Sequence, residues 1–175
     1  MDDPLAAVSV RPVDGVRAAD GTLAAAVKLL SVRRLTRTQL AQKLRDRGHS
    51  ADSIEAALAE CERRKYLDDR TYAQLLVKNL LERRALGSLR LKNELLKHGV
   101  DPELARAVIA ELDDSDDARI DQALAKLESA RPNDGYAQLG RRLERLGFGA
   151  PAIASALRRS FSRRGEMPDR IEILE

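Results

Sequence analysis

The sequence predicts an all-α protein built from three tandem three-helix repeats that form an elongated, curved array. Aromatic residues make up 3% of the 175 residues and Trp is absent, which argues against a β-sandwich or a β-barrel. Leu and Ala, both strong helix formers, dominate the 43% of residues that are hydrophobic. A spacing of two leucines and a glycine returns three times along the chain and sets the number of repeats.

Each repeat is marked by two leucines four residues apart and by a glycine four residues after the second leucine. The three sets are Leu40, Leu44 and Gly48; Leu91, Leu95 and Gly99; and Leu139, Leu143 and Gly147. The two leucines share one helix face, and the glycine follows where a positive φ is cheap only without a Cβ atom. The leucine pair therefore predicts the second helix of each repeat, and the glycine predicts its end.

The flanking elements follow from apolar periods and from capping residues. First helices are predicted at residues 22–33, 69–84 and 115–131. The predicted caps of the second helices are Thr36, Ser88, and Asn133 or Asp134, and those of the third helices are Ser50 or Asp52, Asp101 followed by Pro102, and Pro151.

The segments expected along the chain are a disordered or loosely attached leader, three repeats and a flexible tail. Their bounds are 1–21 for the leader, 22–67, 68–114 and 115–164 for the repeats, and 165–175 for the tail. Because a repeat of this length is small for independent stability, we expect neighbouring repeats to bury apolar surface against each other as one folding body.

The sequence predicts no catalytic, cofactor or metal site. The ten glycines are scattered and form no nucleotide-binding fingerprint. His49 and His98 fall at the ends of second helices, where the helix dipole favours an imidazolium, and Cys61 falls on the apolar face of a third helix. Residues 1–4 are acidic, unlike a signal peptide, and no apolar run is long enough to cross a membrane. We therefore expect a soluble, cytoplasmic protein that is not an enzyme.

The positive charge is concentrated in the first repeat. The net charge of the whole chain is +3, but residues 22–67 alone carry ten cations and five anions. Such a local excess favours a polyanion or an acidic protein surface as the partner, although Arg-rich helices also expose a solvated charged face without any partner.

A longer signature lies in the second repeat. It consists of Tyr66-Leu67-Asp68-Asp69, Tyr72-Ala73, Val77, Gly87, Leu91, Glu94-Leu95 and Gly99-Val100. Similar flanking patterns are Leu40, Lys43-Leu44 and Gly48 in the first repeat, and Arg141-Arg142-Leu143, Leu146-Gly147-Phe148 and Ile153 in the third. Over about residues 24–162, the sequence resembles the RecX family of regulatory proteins.

The resemblance implies a bacterial modulator of the RecA recombinase in DNA repair, recombination and the SOS response. It implies binding along the RecA–DNA filament and suppression of strand exchange, ATP hydrolysis and co-protease action, without enzyme activity or a cofactor. We expect a monomer whose partners are the RecA filament and, through phosphates, single- or double-stranded DNA. The residues expected to contact the filament or phosphate are Arg37, Lys43, Arg45, Arg47, Arg63, Arg64, Arg141, Arg142 and Arg145.

Two other functions stay open. A three-helix repeat also resembles a helix-turn-helix DNA-binding module, whose third helix reads the major groove. Residues 53–58 include Glu55 and few side chains suited to reading bases, which weighs against this alternative. The second alternative is a helical adaptor for an unrelated protein.

Overall fold

The computed structural model describes residues 14–112 and 115–165, with side chains from residue 21 onward. Over these ranges the chain forms nine α-helices and no strand, which confirms the all-α class and the three-helix repeat. The helices are α1 (Asp14–Val32), α2 (Arg37–Arg45), α3 (Ala51–Arg63), α4 (Asp69–Arg83), α5 (Ser88–Lys97), α6 (Pro102–Ala110), α7 (Asp116–Ala130), α8 (Tyr136–Arg145) and α9 (Ala150–Arg164).

The predicted boundary between the leader and the first helix differs from the structure. The predicted leader covers residues 1–21, but α1 already begins at Asp14, so the last part of that segment is helical. Gly21 lies within α1, because a single glycine costs a helix only about 1 kcal/mol and does not end it. Residues 1–13, the boundary residues 113–114 and the tail from residue 166 onward lie outside the described residues.

The leucine pairs and glycines have the roles that the spacing predicts. All six leucines of the pairs are 0% exposed. The glycines at the ends of α2, α5 and α8 have positive φ angles: Gly48 at 82°, Gly99 at 77° and Gly147 at 87°. Each repeat therefore turns the same corner between its second and third helices.

Several predicted caps are confirmed. Thr36 accepts a hydrogen bond from the amide of Gln39 at 3.2 Å, and Ser50 accepts one from Ser53 at 3.3 Å. Asp101 caps α6, with a proline at its first position, by accepting hydrogen bonds from two backbone amides.

Two predicted caps are wrong. Gly87 and not Ser88 holds the N-cap position of α5, since the Ser88 hydroxyl donates to Asp116 at 2.9 Å instead. Gly135 and not Asn133 or Asp134 precedes α8, and the Asp134 carboxylate pairs with an arginine.

The chain divides into two compact units, and the expectation that neighbouring repeats fold as one body stays a prediction. Unit 1 is Met1–Asp69 and unit 2 is Arg70–Glu175. In unit 1, α1 packs on α2 and α3 around one apolar cluster that includes Leu40, Leu58 and Cys61. Unit 1 therefore holds one repeat with a core of its own.

Unit 2 contains the second and third repeats, which share a tight joint. The Gly87 amide donates to the carbonyl of Leu146 at 2.9 Å, and the Leu89 amide donates to that of Gly147 at 3.1 Å. A Cβ atom on Gly87 would lie 2.2 Å from the Gly147 oxygen, so only glycine fits at this contact. Leu146 packs against the apolar clusters of both repeats. The start of α5 and the end of α8 therefore touch backbone to backbone.

Candidate partner-binding surface

The α2 cationic surface consists of Lys43, Arg45 and Arg47, in the last turn of α2 and just after it. Leu40 and Leu44 anchor α2 in the core of unit 1, which fixes the position of the helix end that carries these residues. Arg45 and Arg47 are exposed, and Lys43 is half-buried. In the part of the chain that the structure describes, none of the three makes an ion pair, and Arg45 donates only to the Gln42 amide oxygen at 2.9 Å.

Two physical effects favour cations at this place. The C-terminal end of a helix carries partial negative charge, which stabilises a nearby cation without any partner. An exposed cation that is not held in an ion pair also gives up little when it binds a phosphate or a carboxylate of another molecule, and Asp46, between Arg45 and Arg47, accepts a hydrogen bond from Gln42 instead. The α2 cationic surface is thus stable in the free protein and available to an anion.

Arg37, at the start of α2, is placed differently from the other predicted cations. Its guanidinium forms ion pairs with Glu55 and, at 2.7 Å, with Glu62 of α3. The hydrogen bond with Glu62 is the largest cause of the raised pKa of Arg37. Its backbone amide also donates to Asp69 at 2.8 Å. These contacts hold α2 against α3, so the structure gives Arg37 a role within unit 1.

Arg63 and Arg64 share one carboxylate. Arg63 donates to both oxygens of Glu60, at 2.7 and 2.6 Å, and Arg64 pairs with the same residue. The hydrogen bonds from Arg63 and then Arg64 lower the pKa of Glu60 to about 2. Both arginines are exposed, but their charge is partly offset before any partner arrives.

The predicted cations of the third repeat also fall into two groups. Arg142 pairs with Asp134 at 2.5 Å, which ties α8 to the loop before it. Arg141 and Arg145 are exposed, and Arg145 donates to the Arg141 carbonyl at 3.2 Å. Neither makes an ion pair with another described residue. Arg141 and Arg145 are therefore the available cations of α8.

The available cations of the first and third repeats do not lie at equivalent positions. Lys43 corresponds to Arg142 when the glycines Gly48 and Gly147 are aligned, whereas Arg45 corresponds to Glu144. The repeat thus supplies a common scaffold, and each copy carries its own charge pattern.

Cations of α9 were not assigned to the surface from the sequence. The helix carries four arginines and no acidic residue. Arg159 pairs with Asp121 at 2.8 Å, and Arg164 pairs with Glu128 and lies 5.2 Å from the Phe161 ring centre. Arg158 and Arg163 are exposed and make no ion pair with a described residue, so they add two available cations to unit 2. The signal for these cations in the sequence is that the charged residues of α9 are all arginines.

The remaining reactive side chains have structural partners. Cys61 is fully buried, and this burial raises the pKa of its thiol. The Nδ1 atoms of His49 and His98 lie 2.8 Å from the Thr22 hydroxyl and 2.7 Å from the Tyr72 hydroxyl, respectively. Within the described ranges, no group of His, Cys, Asp and Glu is arranged to hold a metal ion.

None of the described helices has the length and hydrophobicity needed to span a membrane.

Comparison with protein families finds two matches along the chain. Residues 23–61 match the model of the first three-helix domain of RecX, and residues 68–109 match that of the second. These ranges contain the α2 cationic surface and α5.

Two regulatory RecX proteins are similar to most of the chain. A regulatory protein RecX from Thermus thermophilus is 37% identical over 126 residues, which cover 72% of this chain and 82% of the relative. One from Pelodictyon phaeoclathratiforme is 31% identical over 146 residues, which cover 80% of this chain and 89% of the relative.

Solved structures share the fold. The crystal structure of RecX from Lactobacillus salivarius matches with a TM-score of 0.72 at 21% identity, over 82% of this chain and 97% of that one. A second crystal structure, of a regulatory protein RecX, matches with a TM-score of 0.69 at 14% identity, over 81% of this chain and 72% of that one.

Proposed function

The chain belongs to the RecX family of regulatory proteins, and on that premise we propose that it binds the RecA–DNA filament and inhibits its recombinase, ATPase and co-protease activities. The proposal entails a cytoplasmic protein that acts as a monomer and catalyses no reaction of its own. Its effect on the recombinase comes from occupying the filament.

The observation that carries the proposal is the α2 cationic surface. It lies in the most basic repeat, and its three cations lack the carboxylate partners that hold Arg37, Arg63 and Arg64. A filament of protein and DNA offers rows of phosphates and carboxylates that suit such cations. Arg141, Arg145 and Arg158 supply further available cations in unit 2.

Repetition of the scaffold suits a partner that is itself periodic. Each exposed cation contributes little by itself, on the order of 1 kcal/mol or less. When several such contacts engage one partner together, the later ones form within the same complex and the overall affinity rises steeply. Weak contacts from separate repeats therefore add up to tight binding when they engage the filament together.

The helix-turn-helix alternative receives less support from the first repeat. The exposed side of α3, which would enter the major groove, carries Asp52, Glu55 and Glu62. Carboxylates at that position repel phosphates, and the latter two hold Arg37 in ion pairs. The cations lie on α2 and around the end of α3 instead.

A matched pair of double variants tests the proposal. Arg45→Gln/Arg47→Gln removes two available cations, and Arg63→Gln/Arg64→Gln removes the same charge from the same unit at paired positions. In an assay of RecA ATPase on single-stranded DNA, we expect the first variant to need about tenfold more protein for half-inhibition. The second variant should change that concentration by about twofold or less, because its arginines are already engaged by Glu60.

Three outcomes would contradict the proposal. Equal inhibition by the wild type and by Arg45→Gln/Arg47→Gln would show that the α2 cationic surface does not contact the filament. Sequence-selective binding to duplex DNA without any recombinase would favour the helix-turn-helix alternative. Retention of an unrelated protein, and not RecA, from a bacterial extract would favour the adaptor.

A further inference from the structure

The outer face of α5 exposes two leucines that the repeat core does not use. We define the α5 outer face as Leu89, Lys92, Asn93 and Leu96. Leu89 is 56% exposed and Leu96 is 37% exposed. They are seven residues apart and therefore lie on the same side of the helix, opposite the buried leucine pair of the second repeat.

The other two repeats show that the scaffold does not require leucine there. When the repeats are aligned on their glycines, Leu89 corresponds to Thr38 and Ala137. Leu96 corresponds in the same way to Arg45 and Glu144. All four counterparts are exposed, and both repeats fold with them. A pair of exposed leucines at these positions is thus special to the second repeat and unexplained by its folding.

The charges around the α5 outer face are mainly positive. Glu94 is the one acidic residue of α5, and Arg90 and Lys97 engage it at 2.9 and 3.3 Å. Lys92 makes no ion pair with another described residue. The end of α8 borders Leu89 through the backbone contact with Gly147, and it carries the exposed Arg145 together with Glu144. Apolar side chains in a cationic surround are complementary to apolar side chains in an acidic surround.

We propose that the α5 outer face docks on a protein surface in which carboxylates border apolar side chains. This inference rests on the proposed function, and it assigns the contact to the protein of the filament and not to its DNA. A phosphate backbone gives leucine side chains nothing apolar to pack against, whereas a protein surface does. The two contacts are therefore separate in chemistry, with cations on α2 for anions and leucines on α5 for an apolar patch.

The test compares a double variant of the α5 outer face with a single leucine variant elsewhere in unit 2. Leu89→Gln/Leu96→Gln makes the α5 outer face polar, and Leu75→Gln does the same at a leucine of α4 that is 38% exposed. Gln has nearly the helix propensity of Leu, so circular dichroism and thermal unfolding should match the wild type. Binding of the labelled full-length chain to cognate recombinase is measured by fluorescence anisotropy, both without DNA and as the filament.

We expect the double variant to bind recombinase about tenfold or more weakly in both forms. The Leu75→Gln variant should bind like the wild type. The slope of log affinity against log salt should stay unchanged in the double variant, because no phosphate contact is removed.

The outcomes separate this inference from the proposed function. If the wild type binds the filament and the double variant binds equally well, the α5 docking site is wrong and the proposed function stands. If the wild type does not bind recombinase in either form, both fail. Sedimentation of the wild type as a dimer, with the double variant as a monomer, would assign the face to a second copy of the chain and overturn the inference.

Discussion

Unit 1 and unit 2 are built from the same three-helix repeat. Unit 1 contains one copy of it and unit 2 contains two. The single repeat of unit 1 closes its own apolar cluster around α2, with Leu40 and Leu44 fully buried. In unit 2 the cluster of the third repeat also includes Ala85 of the second. The comparison shows that three helices are enough to form a core, and that joining two repeats takes additional contacts.

The same type of hydrogen bond links the first repeat to the start of the second and the second repeat to the start of the third. In both, an aspartate that begins a first helix accepts from a backbone amide at the start of the preceding repeat's second helix. The first residue of α4, Asp69, accepts from the Arg37 amide at the start of α2. The first residue of α7, Asp116, accepts from the Ser88 amide at the start of α5 at 3.1 Å. Both carboxylates thus satisfy an N–H that a helix start leaves unpaired. Desolvation by burial raises the pKa of Asp69.

Unit 2 extends this contact with an arginine. Arg119 is 5% exposed and donates to the Leu86 carbonyl at 3.1 Å and to the Ser88 hydroxyl at 3.2 Å. It also pairs with Asp116 at 2.5 Å. The position equivalent to Arg119, three residues after Asp69, holds Tyr72, whose hydroxyl pairs with a histidine instead. The buried arginine is therefore specific to the joint of the second and third repeats.

The largest expected effect comes from filling the glycine contact of unit 2. We expect Gly87→Ala to destabilise unit 2 by about 3 kcal/mol, because the new methyl group would overlap the backbone of Gly147. Gly135→Ala is the matched control, since its Cβ would meet nothing within 4 Å. Denaturant unfolding measures the free energy, and amide hydrogen exchange reports each unit separately.

In the exchange experiment, amides of α8 should lose protection in Gly87→Ala, while those around Leu40 and Leu44 in unit 1 keep theirs. Equal loss of protection in both units would contradict the division of the chain. A wild-type free energy of unfolding in Gly87→Ala would contradict the close backbone contact.

A smaller effect is expected at the buried arginine. Replacing Arg119 by Met keeps the length of the side chain but removes its hydrogen bond to the Leu86 carbonyl and leaves the half-buried Asp116 carboxylate, which keeps its Ser88 donors, without a cationic partner. We expect Arg119→Met to cost about 2 kcal/mol. Arg158→Met is the control at an exposed arginine of the same unit, and it should change the free energy of unfolding by about 0.5 kcal/mol or less. Similar unfolding midpoints for the two variants would show that Arg119 does not stabilise the contact between the second and third repeats.

The repeat itself is readable from the sequence because its signals are local. Leucines four apart and a glycine at a helix end depend on the helix period and on backbone sterics, and both predictions are confirmed at Leu91, Leu95 and Gly99. The predicted cap of α5 is wrong because of a long-range contact. The Ser88 hydroxyl donates to Asp116, 28 residues along the chain.

The candidate surface is predictable in composition and in its local ion pairs, but not in the pairing of Arg37, whose partners Glu62 and Glu55 lie 25 and 18 residues along the chain. Arg45 and Arg64 look alike in sequence, since both lie near a helix end in the first repeat. Which one has a carboxylate partner depends on whether an acidic residue precedes it on the same helix face, as Glu60 does for Arg64. The division into two units had no signal, because the glycine spacing is nearly regular along the chain.

The smallest expected effect distinguishes paired from available cations within unit 1. The pKa of Glu60 in the fold is about 2, below its usual 4.5, so its contribution to stability is present above pH 4.5 and is lost as the pH falls toward 2. We expect Arg63→Gln/Arg64→Gln to return the pKa of Glu60 toward 4.5, and Arg45→Gln/Arg47→Gln to leave it near 2. Carboxyl NMR titration measures both values. A normal pKa for Glu60 in the wild type would show that Arg63 and Arg64 are as available as Arg45.

The most direct test of the whole account is the ATPase activity of cognate RecA on single-stranded DNA, titrated with the wild-type chain. We expect ATP hydrolysis to fall as the chain is added and to reach a low plateau, with no hydrolysis by the chain itself. An unchanged hydrolysis rate at a molar excess of folded chain would contradict it.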